Sequence, residues 1–218
     1  MKIRLENCTI LQEKKKISAK NSMYHEKHIV VIIPARGGSK RLKRKNIYPV
    51  HGKPMVGWAI DATKNSSLID RTYVTSEDPE ILTVSETFGA SSIVRPPALA
   101  EDHVFKMVPI RHAVEWIEAQ GDNQNPDIVV ILQANSPEVE TRHLENAIKK
   151  LVDDGKQEIF SVDKNLNQNA AFRVMTRDCV FQRELSTNCG VYITDEYDVH
   201  TKEDVDIVEQ RMKEKGLV

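Results

Sequence analysis

The densest chemistry in the sequence lies in the run Pro34-Ala35-Arg36-Gly37-Gly38-Ser39-Lys40-Arg41-Leu42-Lys43-Arg44-Lys45-Asn46. Five of the six residues from Lys40 to Lys45 are basic. The paired glycines ahead of them let backbone approach a ligand closely and turn successive N–H groups inward. A loop of that kind suits a triphosphate. It is neither a Walker A sequence nor a dinucleotide fingerprint, because the spacings fit neither. Two other readings share the composition: a solvated basic loop, and a nucleic-acid-binding loop. The second lacks the interleaved aromatics on which bases stack.

Smaller signals lie further along. Arg95 precedes Pro96 and Pro97, which stiffen its loop, and a held arginine can meet a carboxylate or phosphate bidentately; a plain surface arginine is the alternative. Gln133 is placed to donate to a base or sugar, and Asn135 and Ser136 are equally turn formers. Asp198 and His200 lie two apart, so an extended segment turns both to one side. Asp198 suits Mg2+, which takes oxygen ligands, whereas an imidazole is a poor partner for that hard cation. Asp102, His103 and Ser76 make a triad on paper, but no G-x-S-x-G elbow supports it.

The elements that would position these groups follow from periodicity. Ile29 to Ile33 is a continuous β-branched run, as in a parallel strand buried on both faces. Further strands are expected over 71–75, 92–94, 127–132, 158–162 and 190–194. Helices are expected over 54–64, 79–88, 106–119, 141–153 and 202–213. Gly89 suits a helix C-terminus, and Thr141 suits an N-cap. Val108, His112, Val114, Trp116 and Ile117 would lie on or near the buried side of the third helix. Strands alternating with helices predict a three-layer α/β/α Rossmann-like fold with a mostly parallel sheet. Ligands then bind beyond the C-terminal strand ends. Residues 1–27 read as an extension or linker, with a short strand at 2–5, and 28–218 as the nucleotide-binding domain.

The whole chain, 218 residues with 31 basic and 32 acidic side chains, carries a formal charge of -1. That balance gives no support to a histone-like or polybasic membrane binder. No stretch approaches the roughly 18 apolar residues of a membrane span, and the opening MKIRLENCTI lacks a signal-peptide core. Cys8, Cys179 and Cys189 have neither metal spacing nor disulfide density, so a reducing cytoplasm is the expected compartment.

Several blocks in order resemble the acylneuraminate cytidylyltransferases, the CMP-sialic acid synthetases and their relatives. They are Ile32 to Arg41 with Lys45-Asn46 and Gly52-Lys53-Pro54-Met55; Arg71 to Asp78; Arg95 to Asp102; Ile131 to Pro137; and Asn188 to Ile193. The resemblance covers about His28 to the C-terminus. It implies transfer of CMP from CTP to a nonulosonic, 2-keto sugar acid with release of pyrophosphate, Mg2+ as cofactor, and neither nucleic acid nor membrane as partner. Arg36 and Lys45 would meet the triphosphate and stabilise the α-phosphate transition state. Ala35, Gly37, Gly38, Ser39, Lys40 and Asn46 would belong to the nucleotide loop, and Arg95 would lie near cytosine and ribose. Gln133, Asn135 and Asn188 would belong to the sugar-acid pocket. Asp198 and His200 would occupy the metal motif, with His200 where the family has a second aspartate. The cation that meets the sugar carboxylate is not identified. The stretches after Val162 and Ile193 are short where the family carries its dimerisation excursion, which implies a monomer or an atypical homodimer. The alternatives are a weak or inactive nucleotide-binding homologue serving as a partner subunit, and a nucleotidyltransferase for another sugar acid.

Overall fold

The computed structural model describes residues 24–121 and 125–218; the strand expected at 2–5 lies outside them. In chain order the strands are β1 (Ile29–Pro34), β2 (Pro49–Val50), β3 (Lys53–Pro54), β4 (Arg71–Ser76), β5 (Ser91–Val94), β6 (Ile128–Leu132), β7 (Glu158–Val162), β8 (Gln168–Thr176) and β9 (Cys189–Ile193). The helices are α1 (Met55–Lys64), α2 (Pro79–Thr87), α3 (Met107–Glu118), α4 (Thr141–Asp153), α5 (Arg177–Phe181) and α6 (Lys202–Glu214).

Seven strands form one sheet in the order β5-β4-β1-β6-β8-β7-β9. β1 runs parallel to β4 and β6, with Ile32 in register with both Tyr73 and Ile131. β8 alone is antiparallel, to β6 on one side and β7 on the other. The sheet is therefore mostly parallel, as expected, but β8 and α5 fill a stretch for which the sequence suggested no element. Chain direction switches sides between β1 and β6. A crevice opens there beyond the strand ends, the usual ligand position in an open α/β sheet.

Ile29 to Ile33 are each 0% exposed. Alternate residues feed the two faces: Ile29, Val31 and Ile33 pack with α1, α2 and α4, while Val30 and Ile32 pack with α3 and α5. Burial of such side chains stabilises by roughly 1.5–3 kcal/mol each. Val108 and Trp116 are each 36% exposed, so α3 buries a narrower face than its pattern suggested.

A third apolar cluster matters most for the site. Leu42, Val50 and Met55, just beyond the glycine loop, pack with Val199 and with Val205, Val208 and Met212 of α6. This packing anchors the C-terminal segment carrying Asp198 and His200 beside the basic loop. The segment is closed by a cap on α6: the Thr201 hydroxyl accepts from Asp204 N at 3.2 Å, and Asp204 Oδ2 accepts from His200 N and Thr201 N, each at 2.8 Å. Gly89 takes φ +85° just after α2, as its position suggested. The cap of α4 differs from expectation: Glu140 is the N-cap and Thr141 is the first helical residue. Tyr24 donates its hydroxyl to Asp153 Oδ1 at 3.1 Å, so the last residues of the expected extension pack on the domain.

Candidate active site

β1 ends at Pro34 and the chain turns sharply into the basic run. The main-chain N–H of Ala35 donates to Thr75 O at 3.0 Å, which extends pairing with β4, and its side chain is fully buried. Ala35 therefore belongs to the core and does not face the cavity. Gly37 N donates to Glu77 Oε1 at 2.7 Å. A Cβ on Gly37 would lie 2.5 Å from Asp78 Oδ2. This glycine is required by close approach to the chain after β4, and its N–H is already used. A Cβ on Gly38 would meet nothing within 4 Å. Neither glycine lines the cavity, and the Gly37 N–H is directed at Glu77.

The side chains that follow do converge. A cavity of about 700 Å³ is lined by Arg36, Ser39, Lys40, Arg41, Lys45 and Asn46 on the loop side. Arg95, Lys106, Gln133, Asn135, Asp198 and His200 close it from the other elements. Asn46 is buried and donates Nδ2 to Arg36 O at 2.8 Å, so it steadies the loop from within. Lys45 starts a short 3-10 turn, Lys45–Ile47, after Arg44 at φ 59°. Burial lowers the Lys45 pKa; Asp198 opposes that, while Arg41, Arg36 and Lys106 add to it.

Asp198 sits across from Lys45 and is fixed by its neighbours. It accepts a short hydrogen bond from the Ser136 hydroxyl. Asn135 donates Nδ2 to Val199 O at 3.2 Å, and Val199 N donates to Asn135 O at 2.9 Å. Asn135 thus lines the cavity, but its amide holds the Asp198 segment against the end of β6. Burial raises the Asp198 pKa, against the pull of Ser136, His200, Lys45 and Lys106. His200 is lowered from 6.5, by burial first and then by Lys45, so it is neutral near pH 7. Both Asp198 and His200 face the cavity, as their spacing implied.

Arg95 is 3% exposed, and its Nε and Nη2 donate to Glu77 Oε2 at 3.1 and 2.9 Å. Arg95, Glu77 and Gly37 form one chain of hydrogen bonds that locks the loop, and Arg95 also lines the cavity. Gln133 follows β6 and donates its own N–H to Ala171 O at 3.0 Å, leaving its side chain on the cavity wall. Asn188 is corrected outright. It precedes β9 at the end of the sheet opposite the cavity, where Nδ2 donates to Gly155 O at 2.8 Å. A strand's first residue lies a full strand length from its C-terminal end, and only the latter opens on the crevice.

Two participants, Lys106 and Glu77, were not singled out in the sequence, and a third, Asp102, was named there only for a triad. Asp102 accepts from Arg36 Nη1 at 2.6 Å and pairs with Lys40, whose cations lower its pKa, Lys40 first. Lys106, just before α3, also lines the cavity. Glu77 links Arg95 to Gly37. Asp102 and Glu77 lie in the sequence blocks already singled out, which is a usable signal; Lys106 had none.

The fold and site together define an open-sheet α/β protein whose cationic loop shares its crevice with a carboxylate. A family model described as Cytidylyltransferase matches residues 30–211. The chain belongs to that family. The pseudaminic acid cytidylyltransferase of Campylobacter jejuni is 35% identical over 131 residues, which covers 60% of this chain and 56% of that enzyme. N-acylneuraminate cytidylyltransferase A of Danio rerio is 31% identical over 141 residues, covering 65% of this chain and 31% of that protein. The match therefore spans little more than half the length of the bacterial relative and just under a third of the fish one. Among solved structures, CMP:2-keto-3-deoxy-manno-octonic acid synthetase complexed with CTP aligns over 86% of this chain and 99% of its own, with a TM-score of 0.70 at 17% identity. No helix among the described residues is long and apolar enough to cross a membrane.

Proposed function

We propose that the protein transfers CMP from CTP to the anomeric hydroxyl of a nonulosonic, 2-keto sugar acid, releasing pyrophosphate, in the cytoplasm and as a monomer or an atypical homodimer. The observation that carries this reading is the juxtaposition in one cavity of the Arg36 to Lys45 segment with Asp198. Its acylneuraminate and pseudaminate relatives supply the substrate class.

Arg36, Lys40 and Arg41 bind the triphosphate chain, and Asn46 keeps their segment folded against it. Lys45 contacts the α-phosphate, where charge builds as the acceptor oxygen bonds to phosphorus and the bond to the pyrophosphate oxygen breaks. Burial strengthens that contact, because water competes less for the ammonium. Gln133 orients the acceptor, and Arg95 holds the loop beside the base. Asn188 takes no part.

The donor set decides how a metal fits. Among the described residues no group of three His, Cys, Asp or Glu side chains stands ready for a metal. Mg2+ rarely needs such a cage; it is held by one or two carboxylates together with substrate phosphates. Asp198, with one oxygen on Ser136, fits as that carboxylate. The neutral imidazole of His200 does not suit a hard cation and is left to line the wall. Bound there, Mg2+ would neutralise charge on the α-phosphate and leaving pyrophosphate.

One observation favours a second reading, a nucleotide-binding homologue without turnover: His200 leaves Asp198 as the motif's single carboxylate. Pyrophosphate release with CTP, Mg2+ and a panel including pseudaminic and N-acetylneuraminic acids separates them. Release in step with CMP-sugar formation is expected. CTP binding without release for any acid transfers the case to the binding protein.

A further inference from the structure

We propose that Glu138 is a positioning residue for CMP transfer: it fixes the main chain that carries Asp198. The inference rests on the transfer reading of the cavity, in which the Asp198 carboxylate serves the reacting phosphate.

Tyr197, Asp198 and Val199 are each gripped by the loop that follows β6. Tyr197 N donates to Glu138 Oε2 at 2.8 Å. Asp198 accepts from the Ser136 hydroxyl. Val199 is bonded to Asn135 through both its N–H and its carbonyl, at 2.9 and 3.2 Å. Ser136 thus fixes one carboxylate oxygen, and Asn135 fixes the main chain after Asp198. Of the three loop residues, Glu138 is the one that fixes the main chain before it. Without that contact the Asp198 Cα can pivot about Val199, and its carboxylate swings with it. A displacement of about 1 Å at a reacting group can cost on the order of 10²-fold in rate.

Glu138 is held in turn by α6. Its side chain is 0% exposed, and a carboxylate so buried needs charged partners. Arg211 Nε donates to Oε1 and Oε2 at 3.0 and 3.1 Å, and Lys215 Nζ lies 3.0 Å from Oε1. These two cations are four residues apart at the C-terminal end of α6, and so share one helix face. Both also donate to Asp195 O, just ahead of the same segment. The loop after β6, the Asp198 segment and α6 therefore meet at one carboxylate. An apolar side chain could fill its volume but could not receive the Tyr197 N–H.

The test compares wild type with Glu138→Met and Glu138→Gln, well below the Tm of each. Pyrophosphate release gives kcat, and calorimetry gives the Kd for CTP. Glu138→Met keeps length but offers Tyr197 no acceptor. It should lower kcat about 10- to 100-fold and leave the Kd for CTP unchanged. In Glu138→Gln an amide oxygen in the place of Oε2 still serves Tyr197 N and Arg211 Nε, while Lys215 keeps Asp195. Most of kcat should therefore return, although the charge is gone and Tm falls. A kcat for Glu138→Met within about twofold of wild type overturns the proposal. So does a Glu138→Gln no better than Glu138→Met, or a Kd that weakens in step with kcat, since either marks a group that only holds the fold together. If Glu138→Met does not fold, Glu138→Asp replaces it, keeping the charge but withdrawing from Tyr197 N by one methylene. Its kcat should fall below that of Glu138→Gln, and an equal or higher value overturns the proposal. If wild type releases no pyrophosphate, the transfer reading fails by itself, and amide exchange over residues 195–201 judges Glu138. Faster exchange there in the variant, with β1 still protected, supports the tie to the Asp198 segment, and unchanged exchange overturns it.

Discussion

Lys45 and Asp198 oppose each other in charge but share a cost, since each is buried enough to disfavour its ionised form. Lys45→Ala is expected to lower kcat by about 10²–10³-fold, as removal of one preorganised donor does, and steady-state pyrophosphate release reads it. Asp198 must be ionised to act, and its raised pKa moves the acid limb of kcat/KM above the ordinary 3.8, with activity lost as pH falls. The same shift bears on stability. A raised carboxyl pKa means that the folded state favours the proton, so the group's stabilising contribution is present below 3.8 and is lost as pH rises through the folded value. Asp198→Asn should therefore raise Tm at neutral pH while abolishing turnover, with the Tm gain narrowing towards acid; a constant gain would point to packing instead. Arg36, Lys40, Lys45 and Asn46 were legible because one contiguous run carries them. Gly37 was misread because its partner, Glu77, is 40 residues away. Lys106 had no local signal at all, since only the path of α3 brings it to the crevice.

At the scale of elements, the buried β1 run and the helices of strong period were readable, because burial on two faces leaves an unbroken apolar stretch. β8 was not. Its sequence QNAAFRVMT mixes small, polar and apolar residues, and only pairing with β6 and β7 makes it a strand. Asn188 was misplaced for a related reason: a motif names a strand without saying which end faces the ligand. The join between β1 and the basic loop is the least tolerant element. In Gly37→Ala the new Cβ would collide with Asp78, the N-cap of α2, whose Oδ1 accepts from Glu80 N at 2.9 Å. Overpacking of this kind costs about 1–3 kcal/mol. Urea unfolding should show that loss together with weaker CTP binding; an unchanged midpoint would mean that the loop shifts freely.

Across the whole molecule a formal charge of -1 hides a segregated distribution, with cations gathered in one crevice. Chelation with EDTA should stop turnover, and added Mg2+ should restore it, as read by pyrophosphate release; turnover that survives chelation would leave Asp198 without its metal role. The crevice also carries its own anion, the Asp102 carboxylate on Arg36 and Lys40. Any incoming anion must compete with a carboxylate already tethered to the same chain, and tethering makes it locally concentrated. A lone inorganic phosphate has little with which to win that contest, whereas three linked phosphoryl groups engage several cations at once. In Asp102→Asn, free phosphate should therefore become a stronger competitor of CTP, measured as its inhibition constant. That outcome would make the built-in counter-ion a filter against small anions, and an unchanged inhibition constant would leave it a surface ion pair.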